Sequence, residues 1–190
     1  MAITITNKEN LKQIFDKVNR AYYFATPNVA LNAQTQALEF PVLADGVTFN
    51  TGDPDKNEVK LTDDTTWTSK VKQGESDISF QVASVHSTIN DLLMEKKTSS
   101  AMTGAFGGIN YSGQGYSLAP KKVAGALLMV SEDKLTAIYL PNVEIYASFN
   151  GEGGDDSTGY YNVSVTPLTD TNGAAFYPMT GTAASSSSGE

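Results

Sequence analysis

Alternation of period two is the feature that most limits what this chain can become. Ile78, Phe80 and Val82 alternate with Ser79, Gln81 and Ala83, and Val143, Ile145, Ala147 and Phe149 repeat the pattern further on. A helix would scatter such residues around its surface, whereas a strand puts them all on one face. The pattern predicts half-buried strands there. Shorter signals of the same kind fall at Val47–Phe49, Val59–Leu61, Thr65–Val71, Val123–Val130, Leu135–Leu140 and Tyr161–Val165. Between them lie turn-forming stretches. Thr51-Gly52-Asp53-Pro54-Asp55-Lys56-Asn57 reads as the loop of a hairpin joining the strands at 47–49 and 59–61. Gln73-Gly74-Glu75-Ser76, Ser131-Glu132-Asp133-Lys134 and Gly151 to Gly159 read as further turns and loops.

Two segments carry a helical signal instead. Thr6 and Glu9 have capping-box spacing, and Leu11, Ile14, Phe15 and Val18 follow at helical intervals, so a helix covering an open sheet face is expected over residues 6–20. Ser87 is a plausible N-cap for a second helix over residues 87–97, with Ile89, Leu92, Leu93 and Met94 on its apolar side. Residues 28–36 read as an extended arm or a loop. Thr98 to Ala119, rich in Gly, Ser, Tyr and Phe, reads as a long flexible loop or an irregular hairpin. The fold class expected is therefore mainly β, a β-sandwich or partly closed barrel of about six to eight strands with one or two flanking helices. One domain is expected over residues 1–170, followed by a Gly/Ser-rich C-terminal arm over 171–190 where the pattern lapses.

Composition narrows the function classes. Only 18% of the residues are charged, against ~25% in an ordinary soluble domain, and the formal net charge is −8. Nucleic-acid binders gather Lys and Arg; here the short pairs Lys96-Lys97 and Lys121-Lys122 stand alone against 21 acidic residues. The chain has no cysteine, which excludes disulfides and thiolate metal sites. No run approaches ~18 consecutive apolar residues, so no membrane-spanning helix is expected. Met1 to Thr6 lack the basic-then-apolar pattern of a secretory signal, so synthesis in the cytoplasm is expected. Without that signal, the glycosylation patterns at Asn110 and Asn162 carry little meaning.

No motif points to catalysis or to a cofactor. Asp53, Asp55 and Asn57 open like a calcium loop, but Glu58 and Asp64 stand where an EF-hand needs its Gly and its bidentate Glu. The Gly-rich loop with Glu152, Asp155 and Asp156 reads as a solvated loop tip rather than a cation site. His86 is the single histidine, between a strand and a helix cap, where a structural role is expected. Gly104-Ala105-Phe106-Gly107-Gly108 and Gly113-Gln114-Gly115 lack the spacing of phosphate-binding loops. The expectation is a protein that is not an enzyme, with no metal and no cofactor.

The order of these elements resembles the tail-tube (major tail) protein family of long-tailed bacteriophages. The resemblance lies in the run from Val47 to Met94: strand, turn at Thr51-Gly52-Asp53-Pro54, strand with Val59 and Leu61, Trp67, turn at Gly74, strand Ile78–Val82, short helix. It lies also in Ile138-Tyr139-Leu140-Pro141-Asn142-Val143-Glu144-Ile145, which looks like the family's paired strands around a Pro-Asn corner. The resemblance implies a structural subunit of the virion tail, assembled in the host cytoplasm. Its subunits form hexameric rings that stack, meet other tail proteins, and surround a channel through which DNA is ejected without specific binding. An acidic channel wall repels phosphates, so Asp63, Asp64, Glu75 and Asp77 are the channel-facing candidates. Phe106, Tyr111 and Tyr116 in the long Gly-rich segment are the inter-subunit candidates. The alternative is an immunoglobulin-like binding or decoration module of a virion or surface fibre.

Overall fold

The computed structural model describes residues 14–15, 17–32, 35–43, 46–151 and 158–182. Twelve strands and one helix lie in that range. In chain order they are β1 (Val18–Phe24), β2 (Leu38–Phe40), β3 (Thr48–Asn50), β4 (Asp55–Lys60), β5 (Thr66–Lys72), β6 (Asp77–Val82), α1 (Ser87–Leu93), β7 (Glu95–Phe106), β8 (Ile109–Ser117), β9 (Val123–Ser131), β10 (Thr136–Asn150), β11 (Tyr160–Leu168) and β12 (Tyr177–Thr180). The mainly β, sandwich-like class read from the sequence is the class observed.

Eight strands form one antiparallel sheet in the order β2-β1-β9-β10-β11-β6-β3, with β12 also on β10. The period-two signals mark its buried face. Ile78, Phe80 and Val82 are buried along β6, Val143 and Ile145 along β10, and Tyr161, Val163 and Val165 along β11. They meet Tyr23, Phe40, Leu127, Met129 and Leu140 in one core, through which the rings of Tyr23, Phe40 and Phe80 run in series at 6.1 and 5.5 Å. The sheet is folded on itself at Pro41. β2 pairs with β1, and the next residues cross to the other end of the sheet, where the Leu43 N–H donates to the Gln81 carbonyl (2.9 Å) and Val42 bridges Val82. No continuous ladder closes this corner, so the body is not a barrel.

Several local expectations are revised. Residues 6–13 and 16, in the expected first helix, lie outside the described residues, but Val18 to Arg20 are in β1 rather than in a helix. β1 pairs with β9 along its length, and burying Ala21, Tyr23 and Phe24 in the sheet outweighs a helical signal that depends on one face alone. The second helix stops at Leu93, because Glu95 begins β7, and its N-cap is His86 rather than Ser87: the imidazole Nδ1 accepts the Thr88 N–H at 3.2 Å. The strands at 135–140 and 143–149 are one strand, β10, with a bulge at Pro141-Asn142. There β10 exchanges one neighbour for another, β12 alongside 136–139 and β11 alongside 142–150. Proline has no N–H to give to a ladder and is at home at such a bulge. Beyond Asp170, where the sequence pattern lapses, Tyr177–Thr180 still add a strand to the sheet.

The expected hairpin around residues 51–57 is also revised. β3 pairs with β6, not with β4, and β4 pairs with β5. The two strand pairs form one long hairpin whose tip is Leu61 to Thr65 and whose neck lies at 51–54 and 73–76. At the tip Asp64 adopts a φ of +63° and the Asp63 carboxylate accepts the Thr65 hydroxyl (2.6 Å) and N–H (3.1 Å). At the neck the Gln73 side-chain amide donates to the carbonyls of Thr51 (2.8 Å) and Gly52 (2.7 Å). Gly52 has a φ of +83°, and a Cβ on Gly74 would stand 2.4 Å from the Asp53 carbonyl oxygen, so the two strands cross there only because both positions are glycine.

Candidate self-assembly surface

Two hairpins stand clear of the sheet, one leaving each end of β6. The first, β4–β5, enters β6 at Asp77; the second, β7–β8, follows Val82 through α1. Every residue of β4, β5 and β7 is exposed, so neither arm folds back over the body.

The arms differ in charge. The β4–β5 arm carries Asp55, Glu58, Asp63 and Asp64 against Lys56, Lys60, Lys70 and Lys72. Lys56 Nζ lies 2.5 Å from Glu58 Oε1 and holds that carboxyl below its usual range. From Thr98 to Pro120, which includes the whole distal part of β7–β8, no residue is charged.

The second arm is a regular hairpin at its distal end. Gly107 and Gly108 make a two-residue turn with φ of +58° and +80°, the geometry that suits the twist of a hairpin. Residues directly opposite share a face, and the register pairs Met102 with Gly113, Gly104 with Tyr111 and Phe106 with Ile109. One face therefore presents Met102, Phe106, Ile109 and Tyr111 around two glycines. The other presents Ala101, Thr103, Ala105, Asn110, Ser112 and Gln114. Phe106 is 82% exposed, Met102 79%, Ile109 57% and Tyr111 56%, so a whole apolar face is uncovered.

The root of this arm is tied down. The Tyr116 hydroxyl donates to Asp91 Oδ1 on α1 at 2.5 Å, Lys96 Nζ reaches Asp91 Oδ2 at 2.9 Å, and Lys121 Nζ donates to the Asp91 carbonyl at 2.6 Å. The phenol and the lysine hold the Asp91 carboxyl below its usual range, and the Asp91 carboxylate pushes the Tyr116 phenol up to about 12. Of the three aromatic candidates, Phe106 and Tyr111 thus lie on the free face, while half-buried Tyr116 anchors the arm to its own body.

At the other end of the sheet, beside the neck of the charged arm, lies a groove of about 300 Å³. Ile78 and Leu140 form its floor and Phe49, Pro167 and Phe176 its walls, and none of its lining residues is charged. Phe49 and Phe176 meet edge to face at 6.4 Å.

The four acidic candidates separate into two pairs. Asp63 and Asp64 are at the tip of the charged arm, where the turn suspends the alternation of a strand. Glu75 and Asp77 are at its neck; Asp77 opens β6 opposite Asn50, and Glu75 precedes the strand. All four are exposed. The calcium-like stretch does not converge: Asp55 and Asn57 belong to β4. Glu152, Asp155 and Asp156 lie outside the described residues. Among the described residues no cluster of three or more His, Asp or Glu is placed to hold a metal, and no helix is long and apolar enough to cross a membrane.

The neutral arm has a sequence signature that pattern reading by strands alone passes over. Gly107-Gly108 between Phe106 and Ile109 is a hairpin signal, and the charge-free run around it marks a surface with no solubilising residue. No protein-family model matches this chain and no characterised protein is recognisably similar in sequence.

Proposed function

We infer that this chain is a non-enzymatic structural subunit that works by binding further copies of itself, in stacked rings around a channel of the kind the tail-tube resemblance implies. The observation that carries this reading is the neutral arm. A two-stranded hairpin is marginal in water on its own, and this one holds an uncovered apolar face away from its body with no charge to keep a neighbour off. A monomer gains nothing from that arrangement; an assembly buries it. In the same reading the acids at the tip and neck of the charged arm border the channel, where like charge keeps a passing polyanion from adhering.

Negative-stain electron microscopy and sedimentation velocity over a concentration series test the proposal. Rings or tubes are expected at high protein concentration. A strict monomer throughout sinks the assembly reading and leaves the arms as recognition loops of a binding or decoration module. Rings whose lumen is lined mainly by Lys and Arg, with Asp63, Asp64, Glu75 and Asp77 outside, remove the low-friction role of these acids.

A further inference from the structure

The neutral arm and the uncharged groove lie at opposite ends of the same sheet, and this arrangement fixes more than self-association in general. We propose that the Met102–Phe106–Ile109–Tyr111 face of one copy seats in the groove formed by Phe49, Ile78, Leu140, Pro167 and Phe176 of the next, so that copies join head to tail. This rests on the self-assembly reading above and names its donor and acceptor.

Three observations select a second copy as the occupant. The first is charge. The chain has a net charge of −8, so two copies repel each other wherever their acidic surfaces face. The distal neutral arm and the groove are surfaces at which copies meet with no charge on either side. The second is shape. The arm projects bulky side chains on either side of Gly104 and Gly113, and the groove offers a recess of about 300 Å³ beside the touching rings of Phe49 and Phe176, above Ile78 and Leu140. The third is polarity of placement. The arm leaves beyond the C-terminal end of β6, and the groove opens at Ile78, near its N-terminal end. A contact between different surfaces at opposite ends of a subunit is heterologous, and it propagates into a ring or a filament instead of stopping at a dimer. The four exposed side chains offer about 500 Å² of mostly apolar area, and the groove a smaller one, so a single contact belongs to the small class below ~1,200 Å² and gains its strength by repetition around a closed ring.

The absence of cysteine from the chain makes the test clean. Phe106→Cys and Thr51→Cys are prepared separately in the full-length protein, each with one thiol at an exposed position, and mixed with a short thiol-to-thiol crosslinker. Covalent dimers joining residue 106 of one copy to residue 51 of another are expected from the mixture, at least tenfold more than either variant gives alone. Phe106→Asp is expected to weaken association about a hundredfold without lowering the melting temperature, since Phe106 is 82% exposed. If Phe106→Cys alone crosslinks as well as the mixture, the arms meet each other and the head-to-tail contact is wrong. If the protein assembles but neither the crosslink nor the Phe106→Asp effect appears, this contact is wrong while self-assembly stands. A strict monomer at every concentration overturns both.

Discussion

The charged and neutral arms are built alike and placed alike, yet their chemistry suits opposite ends. Both are two-stranded, both leave an end of β6, and both stand in solvent. The charged arm carries lysines on both of its open-edged strands, with acids on β4 and at the tip, which is the usual protection of an edge against pairing with another chain. The neutral arm omits that protection over its distal length and gathers its apolar residues on one face. Exposure therefore does not distinguish the two arms. The distribution of charge and the sidedness of the apolar residues do.

The largest expected difference is in association. Aspartate at Tyr111 on the neutral arm should weaken self-association about tenfold or more, because it places a charge where an aromatic anchor is to be buried. Aspartate at Val71, on the charged arm and somewhat more exposed (66% against 56%), should change it less than threefold. Sedimentation equilibrium measures both, and similar losses in the two variants erase the contrast.

Stability should show the reverse order. Gly74→Ala forces a Cβ to within 2.4 Å of the Asp53 carbonyl oxygen, so the neck of the charged arm must move, at a cost of about 1–3 kcal/mol. Gly104→Ala on the neutral arm meets nothing within 4 Å and should stay within about 0.5 kcal/mol of the parent. Urea unfolding of the two variants decides, and a Gly104→Ala loss as large as that of Gly74→Ala means that the arm's face is already covered in the isolated chain.

A pH titration sharpens the comparison at the roots. Asp91 has a lowered carboxyl pKa, so its contribution is present above the ordinary carboxylate value and is lost as pH falls through the folded one. Tyr116 has a raised pKa, so its contribution is full below 10 and disappears as pH rises toward about 12. Amide exchange in β7 and β8 should accelerate between pH 10 and 12, relative to exchange in the sheet and beyond the intrinsic pH effect. In Tyr116→Phe it should already be faster at neutral pH and show no further step. An unchanged exchange rate in that variant means the Asp91–Tyr116 bond does not hold the arm.

The smallest expected signal is optical. Trp67, the single tryptophan, sits on the charged arm at 71% exposure. Its emission should remain that of a solvated indole on assembly. A clear blue shift places the charged arm in the interface as well, and the division between the arms fails.

The legible parts of the fold were those where a residue's own neighbours carry the information. The face of β6 and that of β10 follow from alternation, and the turn at Ser131 to Lys134 follows from its residue types, with the Asp133 carboxylate accepting the Ser131 hydroxyl and the Leu135 N–H. Val59, Leu61, Trp67 and Val71 share those β signals but are exposed. Of the assembly candidates, Phe106 and Tyr111 are on the free face and Tyr116 is not, although all three are aromatics in one Gly-rich stretch. Nothing local separates them, because the difference is made by Asp91, a residue 25 positions away on α1.

By itself, then, the sequence determined the class of structure: apolar residues at period two with turn residues between them admit strands and exclude a helical protein, and the lack of cysteine and of clustered basic residues removes whole kinds of site. The tertiary structure decided which strands lie side by side, that β3 takes β6 and leaves β4 to β5, and that two β-rich segments stand outside the core as arms. The reason is that alternation specifies which face of a strand is buried but says nothing of what lies at its edge. Backbone hydrogen bonds between strands are the same for every pair of residues, so the choice of neighbour falls to the packing of the whole sheet.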